Sequence, residues 1–158
     1  MKVAIVSTVK CPASQLHAWV NYHLDLGIDE IILFFDNPLD HVFSEFSVEA
    51  RVTAVLCTNA YWEHKCKTRP DFLPDRQIVN VNEGATIAQA LNCQWLAHID
   101  CDEVIQCLID LKQALANASF DAIRFSLLEA VAARDRCESI FTPRLFRKKP
   151  TWLQDRKS

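Results

Sequence analysis

The chain has 158 residues, half of them apolar, which is enough for one domain with one good core. Its 17 basic and 20 acidic residues are spread along the sequence and leave a net charge of −3, so nothing draws the molecule as a whole to nucleic acid or to an anionic membrane. The longest apolar runs, such as "IILFF" from Ile31 to Phe35, fall far short of the roughly 20 residues that cross a bilayer, so no membrane span is expected.

The first residues, "MKVAIVSTVK", hold too short an apolar segment for a signal peptide and read as a strand over 3–9. Pro12 follows, with Ser14 as the expected N-cap of a helix. There Leu16, Trp19, Val20 and His23 or Leu24 recur at helical spacing until Gly27, the expected C′ glycine. "EIILFFD" (30–36) is a second buried strand, closed by a turn at Asn37 and Pro38. "RVTAVLC" (51–57) is a third. A polar connection then leads to a helix in which Ile78, Val81, Ala85, Ala88 and Leu91 share one face. "QWLAHI" (94–99) is the fourth strand. Residues 109–118 read as a short helix, 120–128 as a strand, and 139–149 as a weaker strand interrupted by Pro143. Strands that alternate with helices predict an α/β fold, a mainly parallel Rossmann-like sheet flanked by helices and joined by right-handed crossovers.

Seven cysteines at irregular spacing, with no C-x-x-C, read as reduced thiols of a cytoplasmic protein. Cys57, His64 and Cys66 form the one cluster that resembles a metal site, and it lacks a fourth ligand, so packing is the expected role. His98, which alternates within its strand, is expected in the core.

The carboxylates are more informative. In open parallel sheets, ligands bind beyond the carboxyl ends of the strands, near the switch in strand order. Asp36 ends the second strand and Asp100 the fourth, so both should border that crevice. A lone D-x-D is common, and a solvated Asp often ends a strand. Asp100, Asp102 and Glu103 together, however, repel one another, a cost that a divalent cation relieves. Hard oxygen ligands favour Mg²⁺ or Mn²⁺, ions that usually serve phosphates.

With these motifs in order, "VSTVKCPASQLHAWVNYHLDLGIDEIILFFDNPLD" followed by "RQIVNVNEGATIAQALNCQWLAHIDCDEVI", the chain resembles the GT-A glycosyltransferases of the family 2-like group. The likeness runs from about residue 3 to 105, in the branch that reads W-x-x-Y-H and later W-L-x-x-I-D-x-D-E. The resemblance implies a GT-A fold and transfer of a sugar from a nucleotide-sugar donor to a glycan or other hydroxyl acceptor. It implies that Thr8 and Lys10 border the base, that Asp36 bonds the base or ribose, and that Asp100 approaches the ribose and the metal. Asp102 would bind the metal that bridges the diphosphate, and Glu103 would support these ligands from behind. Arg76 and Gln77, near a helix start, would assist with phosphate oxygens. Trp19, Tyr22 and His23 match a signature of the group, but their spacing makes them core or core-edge residues. Lys65, Lys67 and Arg69 read as a basic solvated loop that could cover a diphosphate.

Two departures stand out. Relatives carry K-N-E where this chain has Lys10, Cys11 and Pro12, and they continue into acceptor-binding structure where this chain ends at Ser158. A single domain over 1–158, mainly the donor half, is therefore expected, with Glu129 as the acidic candidate for the general base. Two alternatives stay open: a metal-dependent phosphohydrolase or nucleotidyltransferase using the same aspartates, and a non-catalytic donor-binding module. The first lacks a glycine-rich phosphate loop, since Gly27 and Gly84 are the only glycines.

Overall fold

Small and β-branched side chains let Val3–Val9 form β1, an interior strand of its sheet, buried at all seven positions. The computed structural model describes residues 1–107, 109–131, 141 and 145–148. By its contacts the chain forms two compact units, 1–117 and 118–158.

In the first unit β1 is followed by α1 (Ala13–Asp25), β2 (Glu30–Phe35), α2 (Phe43–Phe46), β3 (Val52–Leu56), α3 (Asn59–Cys66), α4 (Leu73–Ala90), β4 (Trp95–His98) and α5 (Leu111–Ala116). The four strands make one sheet in the order β3-β2-β1-β4, with every pairing parallel. Helices cover both of its faces, as the alternating pattern of the sequence predicts. The register sets Val6 opposite Ile32 on one side and His98 on the other.

Alternation along the strands sorts the helices between the two faces. Ala4, Val6, Ile32 and Phe34 point one way and pack with Trp62 of α3 and Ala88 of α4. Phe35 points the other way, where its ring meets Phe43 and Phe46 of α2, and Phe46 in turn meets His17 of α1. At Gly84 α4 passes close over β1. A Cβ built there would lie 2.7 Å from Cγ2 of Val6, so only glycine permits the approach.

Helix ends follow their local chemistry, with one correction. Pro12, not Ser14, occupies the cap position of α1, at φ −58° and ψ 147°, and its carbonyl takes the first helical bond from Leu16 at 3.0 Å. Its locked φ suits the entry, and Ser14 falls inside the first turn. Gly27, at φ 100°, ends α1 as expected, and Ile28 donates back to the His23 carbonyl at 3.0 Å. Asn92 does the same for α4 at φ 59°.

Four further expectations are corrected. The buried stripe of α4 is Arg76, Asn80, Gly84 and Ala88, whereas Ile78 is 60% exposed and Ala85 also faces outward. Helix periodicity was obeyed, but the stripe is polar at its first two positions, which apolar spacing does not reveal. The polar connection after β3 contains α3, whose start is capped by the Thr58 hydroxyl accepting from the Tyr61 N–H. His98 is exposed, because among the described residues β4 is a sheet edge with β1 as its one neighbour. In the second unit, residues 120–127 form no regular element, and the strand there, β5, spans only Leu128–Ala130. It pairs antiparallel with β6 (Phe146–Lys148), and residues 120–127 have no such ladder to join. Of the strand expected over 139–149, residues 139, 140, 142–144 and 149 lie outside the described residues.

Candidate functional site

The chain moves from β1 to β2 and β3 in one direction, then returns through α3 and α4 to place β4 on the far side of β1. That reversal is a topological switch point, and the segments after β1 and β4 flank it. Because the strands are parallel, Lys10, Asp36 and Asp100 all follow carboxyl ends on one edge of the sheet, as the sequence predicts for the two aspartates.

Asp36 is buried there, its side chain 9% exposed, and two arginines meet it. Arg69 donates through Nη2 to Oδ2 at 3.0 Å. Arg76 brings Nε to 2.9 Å from Oδ1, an ion pair whose N–H points away from the line of a hydrogen bond. Arg76 also donates through Nη1 to the carbonyls of Pro70 at 3.0 Å and Asp71 at 2.7 Å, which ties down the approach to α4. Two guanidinium groups on one carboxylate leave a local net positive charge around Asp36. Arg69 was read from sequence as part of a solvated loop, and only the fold brings it to Asp36.

Two neighbouring positions on α4 reach the other strand ends. Gln77 donates to Oδ1 of Asp100 at 2.7 Å. Asn80, fully buried, donates to the Thr8 hydroxyl at 3.0 Å, while its carbonyl oxygen accepts from the Tyr61 hydroxyl at 2.8 Å and from the Cys57 thiol at 3.9 Å. Arg76, Gln77 and Asn80 thus connect one helix to the carboxyl ends of β2, β4 and β1. Of the residues expected from sequence, Thr8, Asp36, Arg76, Gln77 and Asp100 share this network; Lys10 is exposed at its rim. Asn80 and Tyr61 were missed. A polar residue four positions after Arg76 in a helix that must pack on a sheet was the available signal for Asn80.

Helix α1 grips the segment that follows β4. Gln15 donates to the Cys101 carbonyl at 3.0 Å, Trp19 through Nε1 to the Glu103 carbonyl at 2.6 Å, and Tyr22 to the Ile105 carbonyl at 2.9 Å. His23 completes the row: Nδ1–H donates to the Trp19 carbonyl at 2.9 Å, and Nε2 accepts from the Ile105 N–H at 3.3 Å. That arrangement requires a neutral ring. Burial provides it, pushing the His23 pKa from 6.5 down to about 4 against the opposing effect of the bond to Trp19. The segment also closes on itself, since Glu103 donates its N–H to the Asp100 carbonyl at 3.0 Å and accepts the Asp100 N–H on Oε2 at 3.2 Å. Glu103 therefore shapes the turn behind Asp100 and Asp102.

Among the described residues no group of three or more His, Cys, Asp or Glu side chains converges as a metal cage. Mg²⁺ and Mn²⁺ are commonly held by one or two carboxylates together with waters and phosphate oxygens. Asp100, held by Gln77, and the exposed Asp102 are hard oxygen groups of the kind such an ion takes.

Cys11 follows β1, and Cys101 stands between the two aspartates. The neighbouring Cys11 thiol holds Cys101 below the ordinary thiol range, and Cys101 together with burial raises Cys11. Cys57 is pushed up to about 12 by burial, as befits a packed thiol. Glu129 belongs to the second unit, where it pairs with Arg147 of β6 at 3.1 Å.

Searches against protein-family models, curated proteins and solved structures returned no match for this chain.

Proposed function

We propose that the first unit is a GT-A-like donor domain that binds a nucleotide-sugar with Mg²⁺ or Mn²⁺, and that the protein acts as a family 2-like glycosyltransferase. The observation that carries this reading is the single edge on which Asp36, Asp100 and Lys10 lie, with α4 reaching two of the three through Arg76 and Gln77. The resemblance of "WLAHIDCDEVI" and the order of the preceding motifs support it.

On this reading Asp100 and Asp102 hold the cation, which supplies a Lewis acid for charge that grows on the departing nucleoside diphosphate. Gln77 fixes the rotamer of Asp100, and the Glu103 turn sets the spacing of the two carboxylates. Asp36 faces the base or ribose. Its partner Arg69, with a side chain 44% exposed, is the one a ligand can displace, whereas Arg76 stays anchored on Pro70 and Asp71. A displaced Arg69 is then free to meet phosphate oxygens. Glu129 remains the nominated base for an acceptor hydroxyl.

The test is calorimetry and thermal shift with a panel of nucleoside diphosphates, with and without Mn²⁺. Binding should require the cation and be lost in Asp102→Asn, which keeps the shape and removes the charge. Equal binding by the native chain and the variant, or tight binding in chelator, rejects the site. A product assay by mass spectrometry with donors and acceptor sugars then separates transfer from binding alone, and release of inorganic phosphate would favour a phosphohydrolase.

A further inference from the structure

The Asn80 amide is fully buried, and three side chains meet it. An amide oxygen only accepts and an amide NH₂ only donates, so the direction of the whole row is set at its inner end. There the oxygen takes the Tyr61 hydroxyl proton at 2.8 Å and the Cys57 thiol proton at 3.9 Å. Burial raises both groups, Cys57 to about 12, so each keeps its proton to give. Tyr61 is itself held in place: its N–H caps α3 on the Thr58 hydroxyl at 3.2 Å, and its ring lies 4.9 Å from that of Trp62 and 6.0 Å from that of Phe34. An amide turned the other way would take the acceptor from both protons. Nδ2 is thereby directed at Thr8, to whose hydroxyl it donates at 3.0 Å.

The consequence falls on Thr8. Its oxygen is occupied as an acceptor, and among the described residues no group accepts its proton. Thr8 is 7% exposed, so it carries a donor more than nine-tenths buried and unpaired, a costly state that a ligand would relieve. Its place in the fold suits that role. Ala4 and Val6 mark the side of β1 that faces α4, and Thr8 is the last residue of the strand on that side, at the switch in strand order.

We propose that Tyr61 and Asn80 are positioning residues that make the Thr8 hydroxyl a fixed hydrogen-bond donor, and that this donor selects a ligand presenting an unprotonated oxygen or ring nitrogen to the end of β1. A ligand that sets an N–H or O–H group there meets a second donor and leaves both protons unpaired, which disfavours it. That the ligand is a nucleotide rests on the proposed donor site; the polarity of the row does not.

Two arms keep these apart. The first follows the Asn80 side-chain amide by NMR in the isotope-labelled full chain without ligand. Its protons should shift and exchange faster in Thr8→Val, which keeps the shape and removes the acceptor, and should return towards the native signal in Thr8→Ser. Tyr61→Phe should move them less. No response to Thr8→Val, or a larger one to Tyr61→Phe, places the NH₂ on the other side and overturns the proposal. The second arm measures Mn²⁺-dependent binding of the uridine, cytidine, guanosine and adenosine diphosphates by calorimetry. The best of these should bind about 10-fold more weakly to Thr8→Val and recover in Thr8→Ser. Asn80→Asp offers oxygen on both sides, so the Thr8 proton turns inward and the ligand loses its donor. A loss of similar size is expected there, and Asn80→Asp should add nothing further in a Thr8→Val background. Should the buried carboxylate prevent folding, Tyr61→Phe takes its place, with a smaller loss that also vanishes in that background. Unchanged affinity in Thr8→Val, or losses that simply add, overturns the proposal. Binding of none of the diphosphates removes the donor site and with it the selection by Thr8, while the amide arm still decides the polarity of the row.

Discussion

Helices α1 and α4 lie on opposite faces of one sheet and serve its carboxyl edge in different ways. α1 bonds backbone: the side chains of Gln15, Trp19, Tyr22 and His23 meet peptide groups of residues 101–105. α4 bonds side chains: Arg76 meets Asp36, Gln77 meets Asp100, and Asn80 meets Thr8. A backbone bond fixes where a segment runs whatever residues it carries, whereas a bond to a carboxylate fixes charge and rotamer. Damage to α1 should therefore appear as lost stability, and damage to the polar face of α4 as altered chemistry on an intact fold.

The largest expected effect belongs to α1. Trp19 is fully buried and donates to the Glu103 carbonyl, so Trp19→Ala removes both a core ring and the partner of a loop carbonyl. A loss of about 3–5 kcal/mol is expected in urea unfolding. A loss below about 1 kcal/mol would break the assignment of α1 as the structural clamp.

His23 sharpens the same point through pH. Its native pKa of about 4 lies below the ordinary 6.5, so protons favour the unfolded chain. The sign follows: the contribution is fully present above pH 6.5, declines as pH falls, and is gone below about 4. The full span corresponds to about 3 kcal/mol. His23→Asn should lose this slope, and the difference between the two stability curves isolates it from carboxylates common to both. Parallel curves over that window would show that the ring is not held neutral.

Much of this frame was legible. Val3–Val9 and Ile31–Phe35 are apolar runs of strand length, Gly27 marks a helix end, and parallel strands oblige Asp36 and Asp100 to share an edge. The rims were not. Periodicity tells which side of α1 is buried, but not that the polar tips of Trp19 and Tyr22 end on carbonyls more than eighty residues away. Arg69 lies 33 residues from Asp36, with α3 between them, and no local pattern encodes that meeting. The stripe of α4 was misread because a helix that brings Arg76 and Asn80 to strand ends must bury polar side chains, against the apolar rule.

Gly84 tests whether α4 must sit as close as it does. The added methyl of Gly84→Ala would meet the β-branched Val6 side chain of β1, which cannot swing aside, so α4 must shift outward. Overpacking of this kind costs about 1–3 kcal/mol, partly offset by the better helix propensity of Ala. The shift should also loosen Gln77 from Asp100, and a gain in stability would show that the contact is not tight.

Gln77 should change the fold least and the chemistry most. Its amide is part-buried and makes one bond to Asp100, so Gln77→Leu, similar in size, should cost no more than about 1 kcal/mol in unfolding. The Asp100 carboxylate then loses the donor that sets its rotamer. Groups that orient a metal ligand from behind typically carry about 10–100-fold in metal affinity. Mn²⁺-dependent nucleoside diphosphate binding should weaken on that scale in Gln77→Leu, with the unfolding midpoint little changed, and Gln77→Glu should not restore it because a second carboxylate repels the first. If stability and binding fall together, α4 holds structure in the manner of α1, and the division of labour between the two helices fails. If neither changes, Asp100 does not depend on Gln77, and Asp102 becomes the carboxylate on which a cation site at this edge must be argued.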